Sequence, residues 1–131
     1  MSDYDRAFAS KPRLLYVEDD RNIALPMMRL IEREGFDIFG WAMTTEQAAE
    51  ALGAAAYDAV VTDWNLGGQT AKHVVERALA ASIPVLVLSS SQRALVSPGF
   101  APGVPWLLKT DFEPVRAWLH SVRASRQEQA P

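Results

Sequence analysis

Arg13-Leu-Leu-Tyr-Val17 is a short apolar run, bounded by Pro12 and by three consecutive acids, Glu18-Asp19-Asp20. From Arg21 to Glu34 the period changes, and Ile23, Met27, Leu30 and Ile31 recur at helical spacing. Gly35 then stops the helix, as a glycine past a helix C-terminus does. The same alternation continues along the chain. Phe36 to Trp41, Ala59-Val-Val-Thr62, Pro84-Val-Leu-Val-Leu88 and Trp106-Leu-Leu108 read as four further strands. Thr44-Thr-Glu-Gln47 has the form of a capping box, with Gln47 set to reach back to the Thr44 amide. It opens an Ala-rich helix to about Leu52. Thr70 to Ala81 is expected to be helical, with Ala71, Val74, Val75 and Ala78 on one face. Val115, Trp118, Leu119 and Val122 mark a last helix that ends near Arg123. Strands alternating with helices require an α/β fold with a parallel sheet covered on both faces. The first and fourth runs are almost continuously apolar, as central strands buried on both sides are.

The chain has 131 residues and a mass of 14.5 kDa, enough for one domain and too little for two. That domain is expected over 11–124, with a flexible N-terminus at 1–10 and a C-terminal tail at 125–131. Hydrophobic residues make up 49% and charged residues 22%, a balance that argues against a wholly disordered chain. No apolar run approaches the ~18 residues of a membrane span, and the polar start from Met1 to Lys11 is no signal peptide. A cytoplasmic protein is therefore expected. The net charge of −3 argues against a nucleic-acid binder. The absence of cysteine excludes disulfides, Cys-ligated zinc and thiol catalysis, and two histidines, His73 and His120, are too few for a His-rich metal site.

One interval departs from the alternation. Between Ser91 and Pro105, where a helix is due, Pro98, Gly99, Pro102, Gly103 and Pro105 crowd together. Only Ser91 to Ser97 has room for a helix, so a short or frayed fourth helix and an irregular loop are expected.

In an open parallel sheet, ligands bind beyond the carboxyl ends of the strands. Glu18, Asp19 and Asp20 follow the first strand, Asp63 the third, Ser89, Ser90 and Ser91 the fourth, and Lys109 the fifth. Carboxylates crowded on one rim repel one another unless a cation joins them, and such oxygen-rich sites suit Mg²⁺. Asp63 is placed to act as a nucleophile toward phosphorus, with Mg²⁺ and Lys109 neutralising the transferred charge. Taken singly, each feature has a plainer reading: an Asp at a strand end caps a helix, a lysine lies on the surface, a serine run is a polar loop. Their joint placement at four strand ends favours the site.

With these residues in place, about Lys11 to Arg123 resembles a response-regulator receiver domain of bacterial two-component signalling. Leu15-Tyr-Val-Glu-Asp-Asp20 is similar to that family's first strand with its acidic pair, matched here to Asp19 and Asp20. Val60-Val-Thr-Asp-Trp-Asn-Leu-Gly-Gly68 resembles the phosphoacceptor segment, with Asp63 as acceptor. Pro84-Val-Leu-Val-Leu-Ser89 resembles the strand ending in a switch hydroxyl, Ser89. Trp106-Leu-Leu-Lys109 resembles the strand carrying the aromatic switch position, Trp106, and the lysine. The resemblance implies a flavodoxin-like, doubly wound five-stranded parallel sheet. It implies Mg²⁺ held by Asp20, Asp63 and the Asn65 backbone carbonyl, with Asp19 acting through water. Asn65 and Ser91 stand where the family tunes hydrolysis of the phosphoryl group; both are small and polar, which implies a lifetime nearer minutes than days.

The chain departs from the family's pattern in three places. Gly67 replaces the usual proline, so a looser loop is expected after Asp63. Thr110 replaces the proline that usually follows the lysine across a cis bond, so a trans or strained bond is expected. Trp106 is bulkier than the usual Tyr or Phe.

The function implied is a phosphoryl-accepting switch, not a turnover enzyme. It would take its phosphoryl group from a histidine kinase or a histidine phosphotransfer protein and act on a downstream protein target without an output domain of its own. A homodimer through the fourth helix, fifth strand and last helix is a further expectation; nucleic acid and membrane are not. The alternative is a pseudo-receiver that binds a partner without phosphorylation. An aspartate-nucleophile phosphatase is disfavoured because Asn65, two residues after Asp63, cannot act as a general acid. A flavin-binding flavodoxin is disfavoured by the acidic first loop.

Overall fold

The computed structural model describes residues 11–90 and 101–129. The short fourth helix expected at 91–97, the start of the irregular loop after it (98–100), and the N-terminal segment 1–10 lie outside the described residues. The elements in order are β1 (Arg13–Val17), α1 (Arg21–Arg33), β2 (Asp37–Ala42), α2 (Thr45–Ala54), β3 (Ala59–Asp63), α3 (Lys72–Ala80), β4 (Val85–Ser89), β5 (Trp106–Leu108) and α4 (Phe112–Gln129). The five strands form one sheet in the order β2-β1-β3-β4-β5, and all the pairings are parallel. This is the flavodoxin-like, doubly wound arrangement, in which the chain reverses its direction of winding between β1 and β3.

The apolar runs are buried because both faces of the sheet are covered. Leu14 and Tyr16 of β1, with Val61, Leu86 and Leu88, pack against Met27 and Ile31 of α1 and Val115 and Leu119 of α4. Leu15 and Val17, with Val60, Val85 and Val87, pack against Ala48 of α2 and Val74, Val75 and Ala78 of α3. β3 and β4 are buried at every position. No helix among the described residues is long and apolar enough to cross a membrane.

Local signals account for most boundaries. α1 ends in a glycine-terminated turn: Gly35 has φ +91°, the Gly35 N–H donates to the Glu32 carbonyl and the Phe36 N–H to the Ile31 carbonyl. Thr44 caps α2 by accepting from the Gln47 N–H at 3.1 Å. The return bond differs by one residue from expectation, since Gln47 Oε1 accepts from the Met43 N–H (2.8 Å) rather than from Thr44.

Three expectations are corrected. The segment after Asp63 is not loose: Asn65–Leu66 pairs antiparallel with Gln69–Thr70. Gly67 and Gly68 form the two-residue turn at φ +58° and +88°, the positive pair that a tight hairpin needs and glycine supplies. For the same reason α3 starts at Lys72 rather than at Thr70. The last helix does not stop near Arg123 but runs to Gln129. Its extension is held from the body of the domain, where Arg123 Nη1 donates to the Glu34 carbonyl (2.9 Å) and Arg126 pairs with Asp58 (3.6 Å). The Lys109–Thr110 bond is trans.

Candidate functional site

The strand register builds the site. β1 pairs with β3 so that Val17 lies opposite Thr62, which sets the next residues, Glu18 and Asp63, side by side at the rim. β3 pairs with β4, bringing Ser89 to the same edge one strand further on. The Lys109 N–H donates to the Ser89 carbonyl (3.0 Å), continuing the β4–β5 ladder by one residue and fixing where the lysine leaves the sheet. Its side chain returns across the rim. Lys109 Nζ lies 2.8 Å from Asp63 Oδ2 and 3.2 Å from Glu18 Oε1. Glu18, Asp19 and Asp63 each offer a carboxylate oxygen within 4.8 Å of the others, and no other such group of three occurs among the described residues.

Burial sharpens the electrostatics. The Glu18 side chain is 1% exposed and that of Lys109 10%, so their charges are poorly screened. Glu18 is pushed up to about 7, first by burial and then by the Asp63 charge, against the opposing pull of the Asp20 N–H and Lys109. Burial works against the Lys109 ammonium, but the hydrogen bond and charge of Asp63, helped by Glu18, hold it above its usual value. The Tyr16 hydroxyl is raised by burial and by the same two carboxylates, and it has no hydrogen-bond partner. Three carboxylates facing one ammonium leave an excess of negative charge. Hard oxygen donors at this spacing fit a small divalent cation, which the excess charge would attract.

The other expected site residues are distributed as follows. Asp20 does not join the group. Its Oδ1 accepts from the Asn22 N–H (2.9 Å), making it the N-cap of α1, and Glu18 stands in its place beside Asp63. The cause is local: Asp20 is the last extended residue before the helix, where a carboxylate turns onto the unpaired amides of the first turn. Asp19 is in the group and is exposed. In the hairpin, the Ala71 N–H bonds the Trp64 carbonyl (2.8 Å), so the intervening pair Asn65–Thr70 is the non-hydrogen-bonded one. The ladder therefore turns the Asn65 carbonyl away from Thr70, leaving it available to a ligand. Ser89 is buried at the end of β4. Ser91 lies outside the described residues. The Trp106 ring packs on Trp64, with centroids 4.8 Å apart and planes at 53°, and its buried Nε1 has no partner.

The sequence placed Glu18 on this rim without giving it a ligand's place, although it follows the apolar run of β1 as Asp63 follows Ala59-Val-Val-Thr62, and it missed Trp41 altogether. Trp41, whose Nε1 donates to the Glu18 carbonyl (3.0 Å), carries no sequence signal for this contact.

No protein-family model matches the chain, and no curated protein matches it. Solved structures do. The response-regulator receiver domain of PhyR from Erythrobacter litoralis superposes with a TM-score of 0.72 at 24% identity, over 92% of this chain and 93% of that one. A sensor protein from Polaromonas sp. JS666 gives 0.74 at 25% identity, over 89% and 99%. The response regulator TrrA from Thermotoga maritima, in complex with Mg²⁺ and BeF, gives 0.72 at 21% identity, over 85% and 98%. The chain shares the fold of receiver domains.

Proposed function

We propose that the chain is a phosphoryl-accepting signalling switch of a two-component or phosphorelay system, with Asp63 as acceptor. The observation that carries this reading is the Lys109 ammonium bonded to Asp63 beside the Glu18–Asp19–Asp63 group, at the rim where the winding reverses. TrrA, bound to Mg²⁺ and BeF, supports the choice of cation.

In this reading Glu18, Asp19, Asp63 and the Asn65 carbonyl hold Mg²⁺, which supplies charge neutralisation for the incoming phosphoryl group. A histidine kinase or phosphotransfer protein presents a phosphohistidine. An Asp63 carboxylate oxygen attacks phosphorus in line as the P–N bond breaks, and the departing imidazole keeps the bonding electron pair and is neutralised by a proton. Lys109 stabilises charge on the transferred oxygens. Ser89, at the end of the adjacent strand, donates its hydroxyl to them and couples the event to the chain that follows. Water returns Asp63 to its free form by hydrolysis, with Asn65 and Ser91 setting its access.

A second reading keeps the fold without the chemistry. It is favoured by the Trp64–Trp106 contact, which packs the aromatic ring of β5 against the residue after Asp63. Incubation with acetyl phosphate and Mg²⁺, followed by mass spectrometry, separates the two. A gain of one phosphoryl group in the wild type and none in Asp63→Asn supports the switch. No gain in either leaves the partner-binding reading, and equal gain in both removes Asp63 as acceptor.

A further inference from the structure

The peptide that joins two members of the carboxylate group is held from the neighbouring strand. The Glu18 N–H donates to the Ala42 carbonyl (3.0 Å), and the Glu18 carbonyl accepts from the Trp41 indole Nε1 (3.0 Å). Trp41 and Ala42 are the last two residues of β2. The first bond merely extends the parallel ladder, whose register ends at Val17 and Ala42, and any residue at position 42 could supply it. The second is a side chain reaching past the end of the ladder. The carbonyl it binds belongs to the Glu18–Asp19 peptide unit, beyond the last strand residue of β1. No ladder bond to β2 secures that carbonyl. The dihedral angles on either side of this peptide unit set the directions in which the chain and the Glu18 and Asp19 side chains leave the end of β1, and the Trp41 bond restrains them.

We propose that Trp41 is a positioning residue for the cation-binding group: by holding the Glu18 carbonyl it fixes the Glu18–Asp19 peptide plane and keeps both carboxylates aimed at the volume they share with Asp63. This inference rests on the functional reading above, in which that group takes Mg²⁺. A residue that only filled space at the edge of the core would contribute to stability alone. A residue that orients ligands through their backbone alters cation affinity in a chain that stays folded.

The test uses Trp41→Phe, which keeps an aromatic ring and removes the N–H donor. Calorimetric titration with Mg²⁺ should show affinity weakened about 3- to 10-fold, the size expected for loss of one orienting hydrogen bond. Circular dichroism should show the variant still folded at the titration temperature. Unchanged affinity in a folded variant overturns the proposal. A second measurement needs no substitution: exchange of the Trp41 indole N–H with solvent, followed by NMR in the wild type. Marked slowing relative to a free indole supports the bond, and exchange at the free rate overturns it even if Trp41→Phe proves unable to fold. If the wild type itself binds no Mg²⁺, the functional reading fails, and the hold on Glu18 is judged by the exchange rate alone.

Discussion

Uptake of Mg²⁺ should depend on pH in a way that isolates Glu18. A carboxyl pushed up to about 7 is half protonated near neutrality, and a cation must displace that proton. The sign follows directly: lowering the pH adds the proton and weakens binding, and raising it strengthens binding until Glu18 is fully ionised. A group titrating at about 7 is about one-half ionised at pH 7 and about one-tenth at pH 6. Mg²⁺ affinity should therefore be about fivefold weaker at pH 6 than at pH 7, and should rise by no more than about twofold between pH 7 and pH 8. Titration calorimetry at the three pH values, at constant ionic strength, measures the profile. Glu18→Gln should bind more weakly and lose the slope over this range. A flat wild-type profile would refute the assignment of a raised, displaceable proton to this site. Retention of the full slope in Glu18→Gln would move the titration to another group.

Two further outcomes test the corrected geometry. Asp20→Ala should cost about 1 kcal/mol in urea unfolding, the usual loss for an N-cap, while Mg²⁺ affinity falls less than in Glu18→Gln; a larger fall than in Glu18→Gln would restore Asp20 as a ligand. Gly67→Pro should destabilise the chain by more than about 1 kcal/mol, because proline cannot reach the φ of +58° that the turn requires. Thermal unfolding at or above the wild-type midpoint would show that the tight hairpin does not persist in solution.

Much of this architecture could be read from patterning alone, and the exceptions have physical causes. Arg13–Val17 and Trp106–Leu108 have the expected bounds because polar, acidic or proline residues interrupt the apolar runs at both ends. The acid trio was harder. Three consecutive carboxylates satisfy any register, and only the pairing of Val17 with Thr62 shows that the first, not the third, stands beside Asp63. The hairpin was missed because strands of two residues have no period to detect, and its single cue, Gly67-Gly68, fits a loose loop equally well. The last turns of α4 were missed because Ala124 to Gln129 carry no apolar stripe; their anchor is the long-range pairing of Arg126 with Asp58. Asp63 was legible because it ends a fully buried strand, and Lys109 because it directly follows the half-buried β5, whose bounds were themselves legible.

The double ion pair of Lys109 has a consequence for how such a centre rests between signals. Its amine bridges Glu18 and Asp63 as a counter-ion tethered to the protein, so the acidic pocket is partly neutralised before any metal arrives. On the proposed function, a cation in the pocket would compete with the ammonium for these carboxylates, and Lys109 would remain beside the place where a phosphoryl group would be received. The lysine and both carboxylates leave the rim from strands of one sheet, so the ion pair is anchored at each end by the buried ladder beneath it.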